Sequence, residues 1–124
     1  MRNGMHVILC IDDDQDFLDS LRLVLEAHGY LMEEAVSAET GLKKYKEGKP
    51  DLIIVDLMME EIDSGTNLVK ELRLLENIAP IYMLSSAGDE LFMTTDYTNL
   101  GLAGVFQKPI QPDFLLSTLR EKLK

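Results

Sequence analysis

Short apolar runs and amphipathic stretches alternate along this chain five times, and that alternation leaves few folds open to it. Val7-Ile8-Leu9-Cys10-Ile11 and Leu52-Ile53-Ile54-Val55 are uninterrupted apolar runs bounded by turn residues. That is the pattern of strands covered on both faces, as in a parallel sheet. Strands are expected over 6–11, 30–34, 52–55, 81–84 and 105–107. Between the first two, residues 14–28 set Phe17, Leu18, Leu21, Val24 and Leu25 at helical spacing, with Gly29 as the residue that ends the helix. A second helix is expected from 37 or 38 to 47, stopped by Gly48 and Pro50, and a third over 66–75 with Leu68, Val69, Leu72 and Leu75 inward. A fourth is expected over 89–100. A fifth begins after Pro109, with Pro112 in its first position, and runs to the last residue.

Five βα units imply an α/β fold, a doubly wound parallel sheet with helices on both faces. At 124 residues the chain is long enough for one solid core, so residues 1–124 are expected to form a single domain. In the flavodoxin-like strand order 2-1-3-4-5, strands one and three are neighbours at the topological switch point, and ligand crevices form outside the carboxyl ends there. The residues at those ends are Asp12 and Asp13 after the first strand and Asp56 after the third. Carboxylates crowded at one edge repel one another, and a divalent cation relieves them. A hard cation such as Mg²⁺ takes oxygen ligands and keeps several waters, which suits one or two carboxylates plus a phosphate. The loops after strands four and five aim Ser85, Ser86 and Lys108 at the same edge. A hydroxyl and an ammonium there can stabilise a phosphoryl group bound to, or arriving at, a carboxylate.

Several functions are disfavoured. The formal charge of −10 argues against direct nucleic-acid binding, which relies on clustered Lys and Arg. No apolar stretch approaches the roughly 20 residues of a membrane span. The one cysteine, Cys10, lies inside a buried strand and reads as a small hydrophobe, so a reducing cytoplasm fits the chain. Zinc is unsuited, because His6 and His28 fall outside the edge loops.

The motifs Ile11-Asp12-Asp13-Asp14, Asp56-Leu57-Met58-Met59, Leu84-Ser85-Ser86 and Gln107-Lys108-Pro109, in that order, resemble the receiver domain of bacterial two-component response regulators across almost the whole chain. The resemblance implies that Asp56 accepts a phosphoryl group from a histidine kinase or a histidine phosphotransfer protein. It implies Mg²⁺ held by Asp12, Asp13, Asp56 and the Met58 carbonyl, with Ser85 binding a phosphoryl oxygen and Lys108 pairing with the group. Such a domain passes the phosphate on or binds a downstream protein when phosphorylated, catalysing its own phosphorylation and dephosphorylation with no separate substrate. With the last helix ending at Lys124, no output domain is expected in this chain, and a homodimer through its last elements is compatible with the pattern. Asp14 and Asp16 are expected in the first turn of helix one, where negative charge suits the helix dipole.

The chain departs from the family twice. Glu60 stands where most receivers have proline, and Ser64 precedes Gly65 where a single glycine is expected, so this loop is rearranged or one residue longer. Glu60 and Glu61 stand close in sequence to the metal ligands and are candidates for tuning Mg²⁺ affinity. Val105 takes the usual aromatic switch position, and the aromatic is Phe106, one residue later and on the opposite face of the strand. The fourth helix, with Thr94, Thr95, Thr98 and Asn99, is intrinsically weak and is an alternative carrier of the switch. Two competing readings remain: a receiver-like interaction module that is never phosphorylated, and a haloacid-dehalogenase-like phosphatase using Asp12 as nucleophile with Asp14 two residues on. The latter lacks its usual Gly-Thr, since Gln15 and Asp16 follow.

Overall fold

The computed structural model describes residues 1–57, 59, 64–86 and 101–123. In chain order the elements are β1 (Val7–Ile11), α1 (Gln15–Ala27), β2 (Leu31–Ala35), α2 (Ala38–Gly48), β3 (Leu52–Asp56), α3 (Ser64–Leu74), β4 (Ile81–Ser85), β5 (Gly104–Gln107) and α4 (Pro112–Lys122). The strands form one parallel sheet in the order β2-β1-β3-β4-β5, the flavodoxin-like arrangement expected from the alternation. The helix expected over 89–100 lies outside the described residues, as do Met58, Glu60, Glu61 and the Lys124 end of the last helix.

Each strand serves two cores by alternation. Ile8, Cys10, Leu52, Ile54, Tyr82, Leu84 and Phe106 point to the side covered by Leu18, Leu21 and Leu25 of α1 and Leu115 and Leu119 of α4. Leu9, Ile11, Ile53, Val55, Ile81 and Met83 point to the other side, against Leu68, Val69 and Leu72 of α3. Successive strand residues face opposite ways, so a strand covered on both sides must be apolar at every position. β1, β3 and β4 are buried along their whole lengths. β2, at one edge of the sheet, is only partly covered, with Met32 and Ala35 buried in different cores and Glu33 and Glu34 partly exposed. Phe106 is buried beside Tyr82, their rings stacked at 4.9 Å, while Val105 faces the opposite core.

Local chemistry sets the helix ends. The Asp14 carboxylate accepts from the Phe17 N–H at 3.2 Å and caps α1. Gly29 follows that helix at a φ of +86°, a left-handed conformation that glycine adopts without strain. At the end of α2 the expectation needs correction. Gly48 is the last helical residue, and Lys49 takes the left-handed turn at a φ of 44°. The strain falls on a residue with a side chain because Pro50 bars any further turn of helix. Most other bounds shift by one or two residues. β3 extends to include Asp56 and β4 to include Ser85, so both polar side chains stand on strand termini.

Candidate functional site

The carboxyl end of the β1–β3 pair gathers the acids. Asp12 directly follows β1, and its N–H donates to the Ala35 carbonyl at 3.0 Å, carrying the β1–β2 ladder one residue past the strand. Asp56 ends β3 opposite Leu84 of β4, and the Leu57 N–H donates to the Leu84 carbonyl at 3.0 Å. Asp12, Asp13 and Asp56 each offer a carboxylate oxygen within 4.8 Å of the other two. Asp12 is fully buried, Asp56 nearly so, and Asp13 exposed.

Asp12 is engaged through both oxygens. Its Oδ1 accepts from the Asp14 N–H at 2.9 Å, an Asx turn that starts α1. Its Oδ2 pairs with Lys108 Nζ at 2.6 Å, a close charge-assisted contact. Lys108 Nζ also lies 3.6 Å from Asp56 Oδ2. Its backbone N–H donates to the Ser85 carbonyl at 2.8 Å, which continues the β4–β5 ladder, and the Lys108–Pro109 bond is cis. Burial alone would push the ammonium pKa down, but Asp12, Asp56 and Asp14 together outweigh it and hold the pKa above the ordinary value. Lys108 is therefore a permanent cation held between two carboxylates. It also sits over the Phe17 ring, 4.6 Å from the centroid.

Ser85 is almost fully buried, and its Oγ donates to the Ser86 carbonyl at 3.4 Å, a long bond at the outer limit of the interaction. Such a hydroxyl gives up little on turning to a better acceptor. Asp14, read from the sequence as part of a solvated first turn, instead caps α1, and Asp16 lies in the first turn as expected. Phe17, part of an apolar stripe in the sequence, gives no sign there of its place beside Lys108. Gly65, the displaced glycine after Ser64, lies in the first turn of α3. A Cβ on Gly65 would lie 2.2 Å from the Asp56 carbonyl oxygen and 2.7 Å from that of Leu57. The displaced Ser-Gly pair was the available signal, and the second of the two residues makes the close approach. Glycine here lets α3 press directly on the end of β3.

The donor set fits a hard cation. Three carboxylates converge, and among the described residues no thiolate or imidazole joins them. The burial of Asp12 also weighs against the phosphatase reading, because a nucleophile with no exposed surface and both oxygens engaged presents no face to an incoming phosphomonoester. Cys10 is fully buried and its thiol pKa is pushed up by that burial, so it is a packing residue.

A doubly wound sheet with acids at its switch point and a lysine after its last strand is the arrangement the sequence resemblance implies, and comparison with known proteins makes the class specific. Residues 8–120 match the response regulator receiver domain, and the chain belongs to that family. It is 37% identical over 105 residues to the alkaline phosphatase synthesis transcriptional regulatory protein PhoP of Bacillus subtilis, covering 85% of this chain and 43% of PhoP. It is 31% identical over 119 residues to the chemotaxis protein CheY of the same organism, covering 95% of this chain and 98% of CheY. The chain thus spans less than half of one relative and nearly all of the other. Among solved structures, the CheY-like response regulator receiver domain protein of Methanospirillum hungatei superposes with a TM-score of 0.82 at 30% identity, over 97% of this chain and 94% of that one. Among the described residues, no helix is long and apolar enough to cross a membrane.

Proposed function

We propose that this receiver domain is a Mg²⁺-dependent phosphoacceptor that takes a phosphoryl group on Asp56 from a histidine kinase or a histidine phosphotransfer protein. The observation that carries the proposal is the position of Lys108 Nζ, 2.6 Å from Asp12 and 3.6 Å from Asp56 at the edge where Asp13 also converges. A structural ion pair needs one carboxylate. Here one ammonium meets two carboxylates and a third lies within 4.8 Å of both, an arrangement suited to a bound cation and an incoming phosphoryl group.

An Asp56 carboxylate oxygen attacks phosphorus, the new O–P bond forms as the donor's N–P bond breaks, and the leaving imidazole keeps the electron pair and is reprotonated from solvent. Charge spreads over the three equatorial oxygens in the transition state, so positioning and cations do most of the catalysis. Lys108, already at Asp56, stabilises one of those oxygens, and Ser85 donates its hydroxyl to another. Asp12, Asp13 and Asp56 would hold Mg²⁺, joined by the Met58 carbonyl on the family pattern, and the ion when bound supplies neutralising charge. The buried Asp12 keeps its orientation through the Asp14 N–H and so acts as the fixed ligand, while exposed Asp13 is free to adjust. Once Asp56 is phosphorylated, Lys108 and Ser85 re-pair with the new oxygens, and the domain then binds a partner or passes the phosphoryl group on.

Intact-mass spectrometry after incubation with acetyl phosphate, with and without Mg²⁺, tests this directly. One added phosphoryl group that requires Mg²⁺ and is missing from Asp56→Asn is expected. A folded wild type that takes no group, under conditions where hydrolysis is too slow to hide one, would favour the non-phosphorylated interaction module instead.

A further inference from the structure

A lysine ammonium on a four-carbon stem has no preferred direction of its own, so something must aim Lys108. The two acids supply part of the restraint. The face of Phe17 supplies another, with Nζ 4.6 Å from its centroid and well inside the range of a cation–π contact. The Phe17 ring is itself placed by the same acid cluster. Asp12 Oδ1 accepts from the Asp14 N–H at 2.9 Å, and the Asp14 carboxylate accepts from the Phe17 N–H at 3.2 Å, which fixes the first turn of α1. Asp12 Oδ2 meets Lys108 at 2.6 Å. The contacts close into a ring: Asp12 to Asp14, Asp14 to Phe17, Phe17 to Lys108, and Lys108 back to Asp12.

We infer that Phe17 is a positioning residue for the phosphoryl-transfer reaction, its aromatic face holding the Lys108 ammonium against Asp12 and Asp56. The inference rests on the phosphoacceptor reading of Asp56. Phe17 also lines an apolar groove of about 260 Å³ with Leu21, Val24, Ile110 and Leu115, so ordinary packing is the competing account of its presence. The two accounts differ in what they require of the ring. Packing needs an apolar volume, whereas the clamp needs electron density on the ring face.

Fluorination separates them, because it removes that density at nearly constant volume while making the ring more apolar. Full-length protein carrying 4-fluoro-, 3,5-difluoro- or 3,4,5-trifluorophenylalanine at position 17 would be phosphorylated by acetyl phosphate at saturating Mg²⁺ and followed by intact mass, beside Phe17→Tyr and Phe17→Leu. The expected result is a stepwise fall in rate along the fluorine series, reaching about five-fold at the trifluoro ring and matched by Phe17→Leu, with Phe17→Tyr within about two-fold of wild type. A flat or rising series overturns the inference. A urea-unfolding cycle of Phe17→Leu and Lys108→Met supplies the second readout, with a coupling of about five-fold in the unfolding equilibrium constant expected and none overturning the clamp. Should the wild type take no phosphoryl group at all, the phosphoacceptor reading falls, and the cycle alone decides whether the clamp exists.

Discussion

Two clusters of charge on this domain are built on opposite plans. At the β2 edge, Arg22 donates to Glu26 at 2.9 Å and to Glu34 at 2.8 Å, while Arg2 at 2.7 Å and Lys44 at 3.7 Å share Glu33. Cations and anions there are matched in number, and every partner is a quarter to a half exposed. At the carboxyl end of the sheet one ammonium pairs with two carboxylates and a third lies within 4.8 Å of both, and the side chains of Asp12 and Asp56 are 0% and 7% exposed. The edge cluster is cheap to build and close to neutral. Its charges guard an outer strand against pairing with another chain, a common use of charge on such strands. The site is expensive, because like charges are desolvated side by side. Buried charge of one sign gathered at one edge marks where a fold serves chemistry rather than its own stability.

The largest expected effect that would test this contrast is on Lys108. Lys108→Met leaves the buried carboxylates without their cation and should lower stability by about 3 kcal/mol, read from urea unfolding at pH 7. Adding Asp12→Asn should restore part of the loss, since one of the stranded charges goes with it. A near-neutral Lys108→Met would place the site with ordinary surface pairs and break the comparison. Next in size is the response to metal. Mg²⁺ at about a hundred times its dissociation constant should raise wild-type stability by about 2.7 kcal/mol. Asp13→Asn should lose most of that gain, while Arg22→Ala should show it in full. Equal responses in the two variants would mean that the ion acts on the surface as a whole.

Smaller effects belong to the edge. Arg22→Ala should cost less than about 1 kcal/mol, and most of that should vanish in 0.5 M salt, because its pairs are partly exposed and screened. Acid titration should show the smallest effect. Hydrogen bonding from Arg22 first, then from Gln15, holds the Glu34 pKa below its usual 4.5, and Arg2 does the same for Glu33. A carboxyl group whose folded pKa is depressed contributes stability that is present above its unfolded pKa and lost as pH falls through the lower folded value. The edge should therefore weaken only below about pH 4.5, by a few tenths of a kcal/mol, and a Glu34→Gln variant should have a flatter acid limb in the unfolding midpoint against pH.

The parallel sheet was legible in the sequence because burial on two faces demands unbroken apolar runs, and β1, β3 and β4 carry them. The positions of Asp12 and Asp56 followed, since each closes such a run. Less could be read where the chain obeys a local rule with several solutions. β2 starts at Leu31 rather than Tyr30, and the left-handed turn after α2 fell to Lys49 although a glycine stood beside it. Contacts between distant residues left no trace at all. Phe17 and Lys108 are 91 positions apart, and nothing in an apolar helix stripe tells which of its members will face a cation. Gly65 is an intermediate case, visible as a displaced motif but explained only by the carbonyl oxygens against it.

The strict alternation of β1 between two cores has a further consequence. Each residue of the strand advances the chain about 3.3 Å and turns it over once, so the strand works as a ruler as well as a wall. Val7 to Ile11 measures out where Asp12 emerges, and Leu52 to Val55 does the same for Asp56. Deleting one residue from either run would exchange the contents of the two cores and draw the acid back into the sheet at a single stroke. Substitutions can drift through these strands while length cannot, and the reactive geometry is thereby inherited as a count of residues.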